Sequence, residues 1–99
     1  MAKLISIYWR DIPAQVVGRA GRTNVRKELA PRFAKAIDRA AMRAGRGSSD
    51  AYLADWRRET EHVTGDLEVL VAERVAELEA RFDDTYLETV VKAAGRVPA

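Results

Sequence analysis

Ile5-Ser6-Ile7-Tyr8-Trp9-Arg10-Asp11-Ile12-Pro13-Ala14-Gln15-Val16-Val17 is the stretch on which the fold turns. Apolar residues alternate on each side of Arg10-Asp11, which is the pattern of two strands joined by a tight polar turn. On the first strand Ile5, Ile7 and Trp9 share one side, and Leu4, Ser6, Tyr8 and Arg10 the other. Asp11 supplies turn chemistry, and Pro13, which cannot donate to a ladder, belongs in the turn or at the head of the return strand. The return strand is read as Gln15 to Arg19, after which Gly18 and Gly21 loosen the chain and Gly21-Arg22-Thr23-Asn24 reads as a loop.

Outward from this hairpin the period changes. From about Glu28, Leu29, Phe33, Ile37, Ala40, Ala41 and Ala44 recur at helical steps, with Pro31 in the first turn and Gly45 as the stop. Ser48-Ser49-Asp50 is a helix-start signal, and Ala51 to Asp55 are expected to form a short helix turning Tyr52 and Leu53 inward. Trp56 to Val63 alternates as a third strand, polar enough to be an edge. Thr64-Gly65-Asp66 opens the longest helix, whose Leu67, Leu70, Val71, Val75, Leu78 and Phe82 form a continuous apolar face. Burying these side chains contributes on the order of 10 kcal/mol before entropy is subtracted. A last helix is expected to begin at Thr85, in capping-box spacing with Glu88, and to end at Gly95. Residues 96–99 are expected to fray.

The order is β-β-α-(α)-β-α-α in a chain of 99 residues, enough for one core. The expected fold is a single α+β domain over residues 1–99, a two-layer sandwich of about three antiparallel strands with helices on one face. If Ile5, Ile7 and Trp9 point to the helices, the outer face displays Tyr8 and Arg10 with Gln15, Val17 and Arg19 or their neighbours.

Composition closes several function classes. The chain has no cysteine and one histidine, so thiolate catalysis, sulfur-bound metal sites and multi-histidine sites are excluded. Arg10 and Asp11 interrupt the apolar start before a signal sequence or membrane span is complete, so a cytoplasmic protein without a membrane partner is expected. The net charge of +2 hides an asymmetry: residues 1–50 carry +7 and residues 51–99 carry −5. Either the halves neutralise each other on folding, or a basic face meets an anionic partner. Arg32, Lys35, Arg39, Arg43 and, just beyond, Arg46 form a cationic stripe on the first main helix, relieved only by Asp38.

No catalytic constellation emerges. His62 has no Ser or Asp at a motif spacing, Asp83-Asp84 is explained by helix entry, and Gly18-Arg19-Ala20-Gly21 lacks the Gly-Lys of a phosphate loop. No cofactor or metal is called for. The residues read as partner-binding are Tyr8, Arg10, Asp11, Gln15 and Arg19 around the hairpin and Arg32, Arg39 and Arg43 on the helix. Tyr and Arg suit a protein interface, and an aromatic, arginine-bearing sheet also suits single-stranded RNA, although RNP-type aromatic spacing is absent. The expected role is a non-catalytic interaction module or accessory subunit with an unknown protein partner. The alternatives are RNA binding, and completion of a partner enzyme's site by Arg10 or Asp11. A homodimer is left open.

The run Tyr8-Trp9-Arg10-Asp11-Ile12-Pro13-Ala14-Gln15-Val16, followed by Arg32-Phe33, Ala36-Ile37-Asp38, Ala40-Ala41-Met42, Tyr52-Leu53 and Trp56-Arg57, resembles the bacterial "virulence factor" domain family. The likeness covers roughly residues 3 to 60, and the C-terminal helices only by helical pattern. This small stand-alone form is similar to the domain within conserved virulence factor C proteins. Those larger relatives join the module to an iron-sulfur scaffold-like segment and helical repeats, which implies an adaptor role. Stand-alone relatives imply a link to folate and corrinoid one-carbon methyl transfer. The resemblance supplies no active-site residues.

Overall fold

A computed structural model describes residues 2–46 and 48–98. Its elements are β1 (Ala2–Trp9), β2 (Ile12–Ala20), β3 (Thr23–Glu28), α1 (Pro31–Arg43), α2 (Ser49–Ala54), β4 (Trp56–Val63), α3 (Leu67–Arg81) and α4 (Asp84–Lys92). The fold is α+β, with an open antiparallel sheet in the order β3-β2-β1-β4. The hairpin is as the alternation predicts: Trp9 pairs with Ile12 across the turn Arg10-Asp11. Ile7 pairs with Gln15 and Tyr8 with Pro13, so Ala14 is the extra residue of a bulge that accommodates the proline. The Ala14 carbonyl instead accepts from the Leu29 amide at 3.0 Å.

The sheet has four strands rather than about three. Thr23–Glu28, read as a loop running into a helix, pairs along β2 from Ala20↔Thr23 to Gln15↔Glu28. Only Val25 is apolar in it, and the other five residues are exposed, so this edge strand carries no alternation. The Trp56–Val63 strand is the other edge, as expected.

The helix layer lies on the Leu4, Ser6 and Tyr8 side of β1, the alternative to the orientation in which Ile5, Ile7 and Trp9 face the helices. Leu4 pairs with Gly18, and a Cβ on Gly18 would lie 2.9 Å from Val71 Cγ2 and 3.1 Å from Leu67 Cδ2. The glycine therefore lets α3 approach the Leu4, Ser6 and Tyr8 side of β1. Arg74 of α3 confirms this placement, donating to Ser6 Oγ at 3.4 Å and to Glu61 at 3.1 Å. The Ile5 and Ile7 side is the uncovered one. Trp9, at the end of that side, is fully buried; its indole N–H donates to the Tyr52 carbonyl at 2.9 Å and its ring stacks on Tyr52.

The core unites Leu4, Tyr8, Val16 and Ile12 of the sheet with Phe33, Ile37 and Ala40 of α1, Val71, Val75 and Leu78 of α3, and Leu87, Val90 and Val91 of α4. Pro31 takes the first turn of α1, and the Ala30 amide just before it donates to Glu79 of α3 at 2.9 Å. In α2 the inward Leu53 expectation is overturned: Leu53 is 64% exposed, and Tyr52 alone packs inward. The cap of α4 is Asp83, whose carboxylate accepts from the Tyr86 amide; Thr85 lies inside the helix. The tail does not simply fray, because the Val97 amide donates to Asp11 at 2.8 Å. Ala99 lies outside the described residues.

Candidate functional site

The Arg10-Asp11 turn joins remote parts of the chain. The Arg10 amide donates to the Asp55 carbonyl and the Asp11 amide to the Gly95 carbonyl, each at 2.9 Å. Arg10 Nε donates to Asp55 Oδ2 at 3.1 Å, and Arg10 Nη1 to the Ala94 carbonyl at 2.9 Å. Arg46 shares the same Asp55 oxygen at 3.0 Å. Arg57 donates to the Arg10 carbonyl at 2.7 Å and reaches Asp11 at 3.3 Å. The side chains of Arg10 and Asp55 are only 13% and 11% exposed. Arg10 adopts a left-handed φ of 52°, tolerated because these contacts fix the turn on both sides. Arg10 is thus held inside the fold, whereas the Asp11 side chain, though bonded, stays 28% exposed.

Tyr8 is likewise withdrawn. It is buried on the helix side, with the Arg57 guanidinium 4.4 Å above its ring. Desolvation and, secondarily, Glu59 raise its phenol above the ordinary tyrosine range. Two of the four cations of the α1 stripe, Arg32 and Arg39, are engaged within the chain. Arg32 stacks on Phe33 and donates to the carbonyls of Phe82 and Glu79, closing the end of α3. Arg39 makes a two-pronged pair with Glu88 of α4, at 2.8 and 2.7 Å, which draws the Glu88 carboxyl below its usual range. Arg43, at the end of α1, is exposed. Part of the basic half is thus neutralised by the acidic half.

Gln15 and Arg19 lie on the uncovered side of the sheet. Antiparallel partners point to the same side of a sheet, so the ladders arrange the uncovered face as three rows. His62, Lys3, Arg19 and Asn24 form the first; Thr60, Ile5, Val17 and Arg26 the second; Arg58, Ile7, Gln15 and Glu28 the third. Lys3, Arg19, Arg26 and Arg58 are exposed, and none forms an ion pair among the described residues. A shallow groove of about 280 Å³ runs over Ile5 between Lys3, Arg19 and Thr60. Sequence reasoning missed Lys3, Arg26 and Arg58. The glycine in β2 was the available signal, since it marks the side of a strand that another element approaches.

A larger groove, about 500 Å³, lies between α1 and the hairpin end of the sheet. Gln15 and Glu28 line its sheet side, Lys35 and Asp38 its helix side, and Tyr52 and Trp56 close one end. Tyr52 and Trp56 meet edge to face, with ring centroids 5.8 Å apart. Among the described residues there is no group of three or more His, Asp or Glu side chains able to hold a metal, and no helix long and apolar enough to cross a membrane.

A protein-family model described as "Virulence factor" matches residues 7–91. Comparison with curated proteins gave no match, and comparison with solved structures gave none.

Proposed function

The chain belongs to the virulence factor family, and we propose that it works as a non-catalytic docking module, an accessory subunit that holds an acidic protein surface against its uncovered sheet face. The observation that carries this reading is the set Lys3, Arg19, Arg26 and Arg58, exposed on one face and free of ion pairs among the described residues. By contrast Arg10, Arg32, Arg39, Arg57 and Arg74 all have carboxylate or carbonyl partners. Charge left unneutralised on a flat, partly apolar face favours an anionic partner and speeds its approach. Ile7, half-buried in the third row, adds apolar surface beside these cations, while Ile5 and Val17 lie beneath them at 6% and 4% exposure.

The acidic protein is preferred over RNA because the aromatic platform that base stacking needs is missing from this face. Tyr8 points to the helix side, and Trp56 alone stands at the far end. A scaffold or methyl-transfer assembly, as the resemblance implies, is the setting in which such a subunit would act. Affinity purification in low salt, with and without nuclease, tests the reading. A protein retained by the native chain after nuclease, and lost on Arg19→Glu with Arg58→Glu, is expected. Retention by the double variant, or loss on nuclease treatment, would overturn it.

A further inference from the structure

We propose that the groove between α1 and the hairpin end of the sheet is a binding site for a small organic ammonium ligand, an apolar body carrying a positively charged nitrogen. Its volume of about 500 Å³ falls in the range of small-molecule sites. Leu29, Ile37 and Ala14 give it an apolar floor.

The recognition chemistry is concentrated at one end. Tyr52 and Trp56 stand at 85° to one another, so two aromatic walls meet in a corner. Both rings are only half-buried, although Tyr52 also backs onto the buried Trp9. Asp38 borders the same groove and is close enough to Tyr52 to raise its phenol, second to the effect of burial. Glu28 adds a second carboxylate on the sheet side, and Lys35 is the single cation in the lining. Neither Asp38, Glu28 nor Lys35 forms an ion pair among the described residues. An aromatic corner attracts a cation to its ring faces, and an unpaired carboxylate at its mouth adds Coulombic attraction. An uncharged ligand would gain only the apolar contact, and an anion would meet two carboxylates.

This site shares Gln15 and Glu28 with the third row of the sheet but uses none of Lys3, Arg19, Arg26 and Arg58, on which the docking reading rests, so the two proposals fail independently. Choline and its uncharged isostere 3,3-dimethyl-1-butanol are the probes, titrated into the whole chain while the indole N–H resonances of Trp56 and of Trp9, stacked behind Tyr52 and present in every variant, are followed by NMR. Choline should bind saturably, and the neutral alcohol about 10-fold more weakly, as expected for a partly desolvated cation–π contact. Asp38→Asn and Trp56→Leu should each weaken choline about 10-fold, whereas Lys35→Ala should strengthen it and Arg19→Glu should leave it unchanged. Asp38 and Lys35 are exposed, so their replacement leaves the fold in place. Equal binding of the two probes, no saturable choline binding, or an unaltered affinity in Asp38→Asn would each overturn the proposal.

Discussion

Lys3 and Arg19 face one another directly across the β1–β2 ladder, two like charges on the uncovered side of the sheet. Like charges placed opposite are destabilising by a fraction of a kcal/mol, and no carboxylate among the described residues forms an ion pair with either. Arg19→Glu should therefore raise stability by about 0.2–1 kcal/mol, through the new pair with Lys3, while it weakens partner docking. Thermal melts of the two proteins, set beside the purification experiment, check both halves. A variant that is less stable would show that Arg19 serves the fold.

Asp55 holds Arg10 and Arg46 through one oxygen. Its replacement by Ala leaves the nearly buried Arg10 guanidinium with the Ala94 carbonyl as its one acceptor and the Trp9 ring beside it, a loss of about 2–4 kcal/mol. Arg46→Ala, at a side chain 41% exposed, should cost less than about 1 kcal/mol. Urea denaturation of the two variants measures the difference.

Gly18 fixes which face α3 covers. Gly18→Val places methyl groups where Val71 and Leu67 already stand, and overpacking of this kind costs about 1–3 kcal/mol. The denaturation midpoint should fall accordingly. The same substitution would be nearly silent if α3 lay on the Ile5 side.

Arg39 and Glu88 give acid sensitivity with a definite sign. The Glu88 carboxyl is drawn below its usual range, first by its hydrogen bond to Arg39. A depressed carboxyl binds fewer protons in the folded chain, so its contribution is present above the ordinary value of 4.5 and lost as pH falls through the folded value. Glu88→Gln should flatten the fall of stability below about pH 5. Denaturation midpoints measured through that interval, with the native chain as reference, provide the comparison.

The elements that bury apolar side chains were readable in the sequence; the direction they face was not. Leu4 and Tyr8 on one side of β1, and Ile5, Ile7 and Trp9 on the other, are all apolar, so alternation alone named no inner face. Gly18 decides it, and its meaning depends on Leu67 and Val71, some 50 residues away. β3 escaped notice because an edge strand with one apolar residue, Val25, has no period to detect. The intramolecular partners of Tyr8, Arg10, Asp11, Arg32 and Arg39 were hidden for a related reason. Arg and Asp side chains near a turn read as exposed, but Asp55, Ala94, Phe82 and Glu88, which engage them, arrive only on folding. Gln15, Val17 and Arg19 alternate along one strand and so share one side, whichever side that was.

The most direct measurement is an NMR titration of the isotopically labelled chain with a short glutamate-rich peptide standing in for an acidic protein surface. Shifts should concentrate on Lys3, Ile5, Arg19, Arg26, Arg58 and their row neighbours, fade with added salt, and vanish in Arg19→Glu with Arg58→Glu. Shifts confined to α1, or a single-stranded oligonucleotide bound more tightly at the same residues, would contradict the account.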